Sequence, residues 1–331
     1  MDKNIKNNLN VIKSHNLFSK NFLKNSVLIS ASLNYIPEEL PKLDETKYSL
    51  NEGSFINEGI KIEKYLFSGN RSKFYLAFIK EINSYILIKS FQIDLDDANI
   101  ENIIENLLND INKIQGFSDN NILCYFDVDI DYSKSNGRIL MDYFPNSISL
   151  ENYFHNYNRL NSKTKGFTFN VIKNILKKIL SGLMYLHKND IIHKNLNLKN
   201  ILISNDNNYE IKIINYSLNT YNHDLQKYPY YSSPEILFSK KYTYETDIWS
   251  LGCILFELMC GYKPYNDLDP FNTICTLAQY INPIEEANDD IKDLFYDRKN
   301  RNVLDFLHKC FRINEGTRPT TEELINYKMF N

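Results

Sequence analysis

Apolar and polar positions follow two kinds of period along the chain. Residues 60–66 alternate between apolar and polar, which predicts a half-buried β-strand. Residues 98–115 instead carry apolar side chains at helical spacing, and these form one broad stripe. Residues 169–187 repeat the helical spacing over a longer stretch. The pattern therefore predicts a strand, a helix with one apolar face, and a second, longer helix.

The first 57 residues carry no motif. Residues 1–25 have a net charge of +4, from five lysines and one aspartate. Apolar residues recur there at helical spacing, at Ile5, Leu9, Ile12, Phe18 and Phe22. We expect residues 1–57 to be an N-terminal extension that is partly disordered or helical. The alternatives are a docking arm for a protein, or a helix that touches acidic lipid, with membrane contact the less favoured.

Composition and charge limit the classes of function. The formal net charge of −3 argues against a dedicated nucleic-acid binder. None of the five cysteines forms a C-x-x-C pair, so we expect reduced thiols in an intracellular protein. No apolar run reaches the roughly 18 residues of a spanning helix, and lysines interrupt the N-terminal stretch where a signal peptide would lie. These features predict a cytoplasmic or nuclear protein.

Several motifs resemble those of the eukaryotic protein kinases. Residues 191–203 are similar to the catalytic loop, H-R-D-L-K-x-x-N between aliphatic runs, with His193 and Asn200 at its ends. Residues 228–235 resemble the end of the activation segment of Ser/Thr kinases, and residues 246–255 resemble the D-x-W-S-x-G helix. A late R-P motif follows at residues 316–319. The resemblance covers roughly residues 58–331 and is nearer to the Ser/Thr kinases than to the Tyr kinases.

The resemblance implies an α+β, two-lobed protein-kinase fold. Residues 58–143 would form a small β-rich N-lobe with helix C, and residues 144–331 a larger, mainly helical C-lobe. In that family Arg318 would pair with Glu235, and Asp247 would hold the backbone of the catalytic loop. The remaining structural positions would be Trp249 and an internal stack of Ile114, Tyr125, His193 and Tyr216.

The departures from the family fall on the catalytic positions. Asn195 stands where the family has its catalytic aspartate, Asn197 where it has the loop lysine, and Asn215 where it has the aspartate that holds Mg²⁺. A neutral amide can orient a hydroxyl but cannot accept its proton, and it is a poor ligand for a hard dication. No acidic residue occurs between positions 191 and 204 that could replace the base. We therefore expect no intact catalytic residue and no metal site.

The nucleotide-binding positions are also altered. Residues 66–77 resemble the glycine-rich loop, but Gly69 is the one glycine kept. By resemblance Lys89 would contact the phosphates, with Asp110 at the position of the helix C glutamate. The larger Phe74 and Leu87 are expected to fill the space of adenine. The other pocket positions would be Met141, Tyr143 of the hinge, Asn200 and Leu202.

The sequence favours a pseudokinase, which would act as a protein-binding scaffold, decoy or allosteric regulator of a signalling partner. That partner would be another protein, such as an active kinase or its substrate, and no nucleic acid. We expect no cofactor, although binding of ATP without Mg²⁺ stays open. The alternative is a divergent, weakly active Ser/Thr kinase or nucleotide transferase that still binds ATP through Lys89.

Overall fold

The computed structural model describes residues 50–57, 59–69, 72–93, 100–131, 135–160, 167–205, 209–216, 229–239 and 241–330. The described chain divides into two compact units. The N-terminal unit comprises the chain up to residue 117 together with residues 124–145, and the C-terminal unit comprises residues 118–123 and 146 onward. Most of the predicted N-terminal extension, at positions 1–49, lies outside the described residues.

An antiparallel sheet of six strands dominates the N-terminal unit, in the spatial order β1-β2-β3-β4-β6-β5. Its strands are β1 (Phe55–Asn57), β2 (Ile60–Gly69), β3 (Ser72–Ile79), β4 (Ser84–Gln92), β5 (Tyr125–Asp131) and β6 (Asn136–Asp142). The predicted strand at residues 60–66 is confirmed as part of β2. Side chains that alternate inward along β2, β3, β4 and β6 form one buried cluster, which includes Ile60, Ile62, Ala77, Ile88 and Leu140.

The helix predicted at residues 98–115 is confirmed as α1 (Ile100–Ile114). Its apolar stripe is buried at Ile104, Leu107, Ile111 and Ile114. Because these positions recur every three or four residues, one face of the helix packs inward while the other stays in solvent.

The C-terminal unit is mostly helical and contains a small three-stranded antiparallel sheet. The strands β7 (Ser147–Ser149), β8 (Ile201–Ser204) and β9 (Ile211–Ile213) pair in that order. The helices are α2 (Leu150–Leu160), α3 (Phe169–Lys188), α4 (Pro234–Ser239), α5 (Tyr244–Cys260), α6 (Pro270–Ala278), α7 (Pro283–Glu286), α8 (Asp289–Tyr296), α9 (Arg301–Cys310) and α10 (Thr321–Ile325). The helix predicted at residues 169–187 is confirmed as α3.

Helix α5 lies at the centre of this unit. Almost every side chain along it is buried, whereas α3 is buried on one face. Gly252 gives α5 close contact with the end of α9, since a Cβ at this position would lie 2.8 Å from the Cβ of Cys310. The helix ends at Gly261, whose φ of 92° is a left-handed conformation that glycine adopts without steric cost. No helix in the described ranges is long and apolar enough to cross a membrane.

Candidate functional site

The buried carboxylate of Asp247, in the first turn of α5, organises the candidate site. Its Oδ2 accepts hydrogen bonds from the backbone N–H of His193 at 2.8 Å and from Nε2 of His187 at 2.9 Å. Its Oδ1 accepts a third from the backbone N–H of Lys194 at 3.0 Å. A buried carboxylate needs such donors to offset its lost hydration. Asp247 therefore fixes the start of residues 193–200, which we call the asparagine loop.

The backbone of the asparagine loop is strained where Asp247 holds it. Lys194 has a φ of 69°, in the left-handed region that side chains with a Cβ seldom occupy. Such a conformation costs roughly 1–2 kcal/mol and persists when the surroundings fix it. The carboxylate of Asp247 provides that constraint, because both backbone N–H groups point at it.

We expect Asp247→Asn to lower the free energy of unfolding by about 2–4 kcal/mol. The amide places an N–H₂ group against at least one of the three donors, so a buried donor loses its acceptor. Urea unfolding followed by circular dichroism measures the change. The exposed Asp293→Asn is the matched control, and a loss for Asp247→Asn no larger than that of the control would contradict this role.

Arg318 and Glu235 form the second buried charged contact. The guanidinium donates to both carboxylate oxygens, at 2.6 and 2.9 Å. Arg318 also donates to the backbone oxygens of Glu245 and Arg312, and its guanidinium lies 5.0 Å from the ring centroid of Trp249. Burial raises the pKa of the Glu235 carboxyl, but the hydrogen bonds and charge of Arg318, together with hydrogen bonds from Ser233 and the backbone, outweigh it, so the net shift is downward. The pair predicted from the resemblance is therefore present.

The asparagine loop contains amides that hydrogen-bond to one another. Nδ2 of Asn197 donates to Oδ1 of Asn195 at 2.8 Å and to its backbone oxygen at 3.0 Å. Nδ2 of Asn200 donates to the same backbone oxygen at 2.8 Å. Nδ2 of Asn215 then donates to Oδ1 of Asn200 at 2.9 Å. Four residues that the sequence singled out thus form one network within the C-terminal unit.

This network does not suit a catalytic metal. Oδ1 of Asn200 already accepts from Asn215, and Oδ1 of Asn197 accepts the backbone N–H of Lys199 at the start of a 3₁₀ turn. Mg²⁺ prefers carboxylate oxygens, and the amides here carry no charge to balance a dication. Among the described residues, no three His, Cys, Asp or Glu side chains form a cluster that could hold a metal ion. The donor set therefore does not fit the Mg²⁺ that active kinases use.

His193 and Tyr216 are both fully buried beside the network. Nδ1 of His193 accepts the backbone N–H of Asn195 at 3.3 Å, and burial lowers the pKa of the imidazole. The Tyr216 hydroxyl donates to the backbone oxygen of Leu123 at 2.6 Å. Ile114 and Tyr125, the other predicted members of the internal stack, are buried in the N-terminal unit. The stack itself stays a prediction.

Lys89 lies on β4, and its ammonium forms no ion pair with any described residue, Asp110 included. Burial lowers the pKa of the lysine. Asp110 is half-buried on α1 and has other interactions. The charged pair that positions the lysine in active kinases is therefore not formed here.

An aromatic pair covers the sheet face that carries Lys89. Phe74 is the cross-strand neighbour of Lys89, and the ring of Phe67 stacks on Phe74 with centroids 4.5 Å apart. Leu87, two residues before Lys89, faces Met141 across β4 and β6. Large side chains therefore crowd the face where the resemblance places the nucleotide.

The other predicted pocket positions are spread over both units. The backbone of Gly69 ends β2 opposite Ser72, while positions 70 and 71 lie outside the described residues. Tyr143 follows β6, and burial raises the pKa of its hydroxyl. Leu202 belongs to the C-terminal unit, on β8. Most of the predicted activation segment, at positions 217–228, also lies outside the described residues.

Sequence reasoning missed one residue, Glu257 on α5. It is 4% exposed, and the Tyr231 hydroxyl donates a hydrogen bond to its carboxylate. Burial raises the pKa of Glu257 to about 7; the hydrogen bond from Tyr231 and the charges of Lys263 and Lys199 oppose the rise, and Glu151 adds to it. The sequence signal that could have identified Glu257 is an acidic residue within an apolar stretch of the helix.

Glu257 should make folding stability depend on pH. The pKa of Glu257 in the folded chain lies above the unfolded value of 4.5. Between the two pKa values the folded chain binds more protons than the unfolded chain, so its stability falls as pH rises, and the loss is complete above about 7. The loss amounts to roughly 3 kcal/mol. Glu257→Gln keeps an acceptor for Tyr231 but does not titrate, so it should flatten the profile of unfolding free energy.

Urea unfolding at several pH values from about 5 to about 8 measures this dependence. Glu81→Gln, at an exposed position in the N-terminal unit, is the control and should leave the slope unchanged. Parallel profiles for Glu257→Gln and the unaltered chain would show that Glu257 is not the titrating group.

Comparison with known proteins agrees with this geometry. The chain matches the family model of the protein kinase domain over residues 60–330, and it belongs to that family, within the eukaryotic protein kinase superfamily. It is 27% identical over 272 residues to mitogen-activated protein kinase kinase kinase 3 of Arabidopsis thaliana, covering 80% of this chain and 41% of that protein. It is 28% identical over 283 residues to mitogen-activated protein kinase kinase kinase A of Dictyostelium discoideum, covering 82% of this chain and 28% of that protein.

A third relative is MAP kinase kinase kinase mkh1 of Schizosaccharomyces pombe, 25% identical over 274 residues, which cover 78% of this chain and 23% of that protein. The chain thus spans less than half the length of each of these curated relatives. The predicted two-lobed kinase fold is confirmed.

Proposed function

We propose that this chain is a pseudokinase, a protein-kinase fold that binds another protein and transfers no phosphoryl group at an ordinary rate. The asparagine network carries this proposal. At the positions of the base and of the metal ligand, Asn195 and Asn215 are neutral. Oδ1 of Asn195 accepts from Asn197, and Nδ2 of Asn215 donates to Oδ1 of Asn200. A substrate hydroxyl would find no proton acceptor there.

The expected loss of rate is large. Removing a general base costs roughly 10²–10⁴ in rate. Removing a metal ligand costs several kcal/mol of transition-state stabilisation. The two losses need not add, because groups in one site act together, but either alone would take turnover below that of a signalling enzyme.

The names of the relatives suggest the kind of partner. They are described as kinases that act on MAP kinase kinases, so we propose a signalling protein as the partner, either an active kinase or its substrate. The described cysteines are all free thiols, and three are buried, which supports a reducing cytoplasmic or nuclear setting. The role would be that of a scaffold, decoy or allosteric regulator.

We expect the purified chain to transfer no labelled phosphate from ATP to itself or to a general protein substrate, with either Mg²⁺ or Mn²⁺. The reason is the absence of a base and of a charged metal ligand. Scintillation counting after gel separation measures the transfer. The control is Lys89→Met, which removes the cation that would hold the phosphates, so the unaltered chain and this variant should give the same background.

The same assay tests the rival function, a weakly active kinase or nucleotide transferase. That rival predicts transfer that survives purification and disappears in Lys89→Met. It also predicts a further drop on Asn195→Ala. Either result would overturn the pseudokinase proposal.

We also expect ATP, with or without Mg²⁺, to raise the melting temperature by less than about 1 °C. Phe67, Phe74 and Leu87 would occupy the space of the adenine ring, so little binding energy remains to stabilise the folded chain. A dye-based melting scan measures the shift. A rise of several degrees would instead assign ATP as a structural ligand. If Phe74 narrows the adenine space without filling it, Phe74→Val should increase the rise in melting temperature that ATP causes.

A further inference from the structure

A cleft in the C-terminal unit lies outside the asparagine loop. It has a volume of about 100 Å³ and lies between the segment that joins α5 to α6 and the helices α7 and α8. We call it the acidic cleft. Its lining includes Phe256, Tyr262, Tyr265, Asp267, Glu286 and Ile291.

The floor of the acidic cleft is apolar and rigid. Phe256 and Ile291 are buried, and the Tyr265 hydroxyl is fixed by a hydrogen bond of 2.9 Å to the backbone oxygen of Ile281. Leu268 and Pro283 complete the apolar part of the lining. A cleft of this size and character suits one aromatic or aliphatic side chain.

Carboxylates surround the apolar floor. Glu286 is half-buried, and its carboxylate makes no hydrogen bond or ion pair with any described residue. Burial raises the pKa of the Tyr262 hydroxyl, and the nearby charges of Asp267 and Asp290 raise it further. Burial likewise raises the pKa of Tyr265, and Glu286 adds to that rise. Asp267 and Glu286 are the two carboxylates in the lining itself.

The positive charge of the lining does not balance this rim. Lys263 is the lysine in the lining, and its ammonium lies 3.5 Å from the ring centroid of Tyr230. The lining thus carries two carboxylates, Asp267 and Glu286, against this one lysine. The cleft is thus an apolar pocket with an unbalanced acidic rim, which favours an occupant that joins an apolar side chain to basic ones.

The chain itself contains a segment with that chemistry. Phe18, Lys20, Phe22 and Lys24 alternate with Ser19, Asn21 and Leu23. In an extended conformation, side chains two residues apart point to the same side. The two phenylalanines and the two lysines recur at this spacing of two in the sequence. The surrounding residues 1–25, with their net charge of +4, match the sign of the rim.

We propose that residues 18–24 of this polypeptide bind the acidic cleft, with a phenylalanine on its apolar floor and the two lysines paired with the carboxylates of its rim. The chain would thereby cover its own docking surface, and a partner with a competing basic segment would have to displace these residues. The inference does not depend on the absence of phosphoryl transfer, so the two proposals can fail separately.

The test uses a fluorescein-labelled peptide of residues 14–25 and the full chain, with binding followed by fluorescence anisotropy. In the unaltered chain the native segment competes with the peptide. We therefore expect the chain with Lys20→Gln and Lys24→Gln to bind the peptide about fivefold more tightly or better. Lys3→Gln with Lys6→Gln is the matched control, since it removes the same charge outside the segment, and it should bind as the unaltered chain does.

A second pair of variants locates the site. In the Lys20→Gln and Lys24→Gln chain, adding Glu286→Gln and Asp267→Asn, the two carboxylates of the lining, should weaken peptide binding about fivefold or more. The exposed pair Glu81→Gln and Glu105→Gln removes equal charge elsewhere and should have less than about a twofold effect. Urea midpoints confirm that each variant is folded.

Two outcomes would overturn the proposal. Equal affinity of the peptide for the unaltered chain and for the Lys20→Gln and Lys24→Gln chain would mean that the native segment does not occupy the cleft. Equal weakening by the cleft pair and by the control pair would mean that the peptide responds to net charge and not to this cleft.

Discussion

The asparagine loop depends on one buried carboxylate, that of Asp247. A carboxylate that is 1% exposed is tolerated because three donors point at it. In return the carboxylate holds Lys194 in a left-handed conformation that an unsupported loop would leave. The position of Asp247 is fixed in turn by α5, which packs closely on α9 at Gly252. A single charge thus connects the central helix of the C-terminal unit to the residues that define the candidate site.

The asparagines change the chemistry of that site. An amide has nearly the size and planarity of a carboxylate, but it donates as well as accepts. A carboxylate at position 215 could only accept hydrogen bonds, whereas the amide of Asn215 donates directly to Oδ1 of the retained Asn200. The network therefore joins these side chains through neutral amides, without a charge that a cation would have to balance.

Most of the fold could be predicted from the sequence, because its signals are local or belong to long motifs. The apolar periodicity located α1 and α3 to within about two residues, and the motifs around positions 235, 247 and 318 identified the Arg318–Glu235 pair and the role of Asp247. Two features could not be predicted. The contact of Tyr231 with Glu257 joins residues 26 apart, and its effect depends on burial that no local pattern records. The stacking of Phe67 on Phe74 depends on the register of a hairpin.

The retained ion pair and the Asp247 contacts do not by themselves distinguish an enzyme from a binding protein, because both would need them in order to fold. The asparagine network is more informative. Loss of catalytic groups can leave buried polar atoms without partners, at a cost of roughly 1–3 kcal/mol each, and Nε2 of His193 is such an atom in the described part of the loop. Here the amides of Asn195, Asn197, Asn200 and Asn215 are joined into one network. Asn195 and Asn197, both replaced, bond to each other, and Asn215 bonds to the retained Asn200, so the replaced positions hold the loop through neutral hydrogen bonds and not through charge.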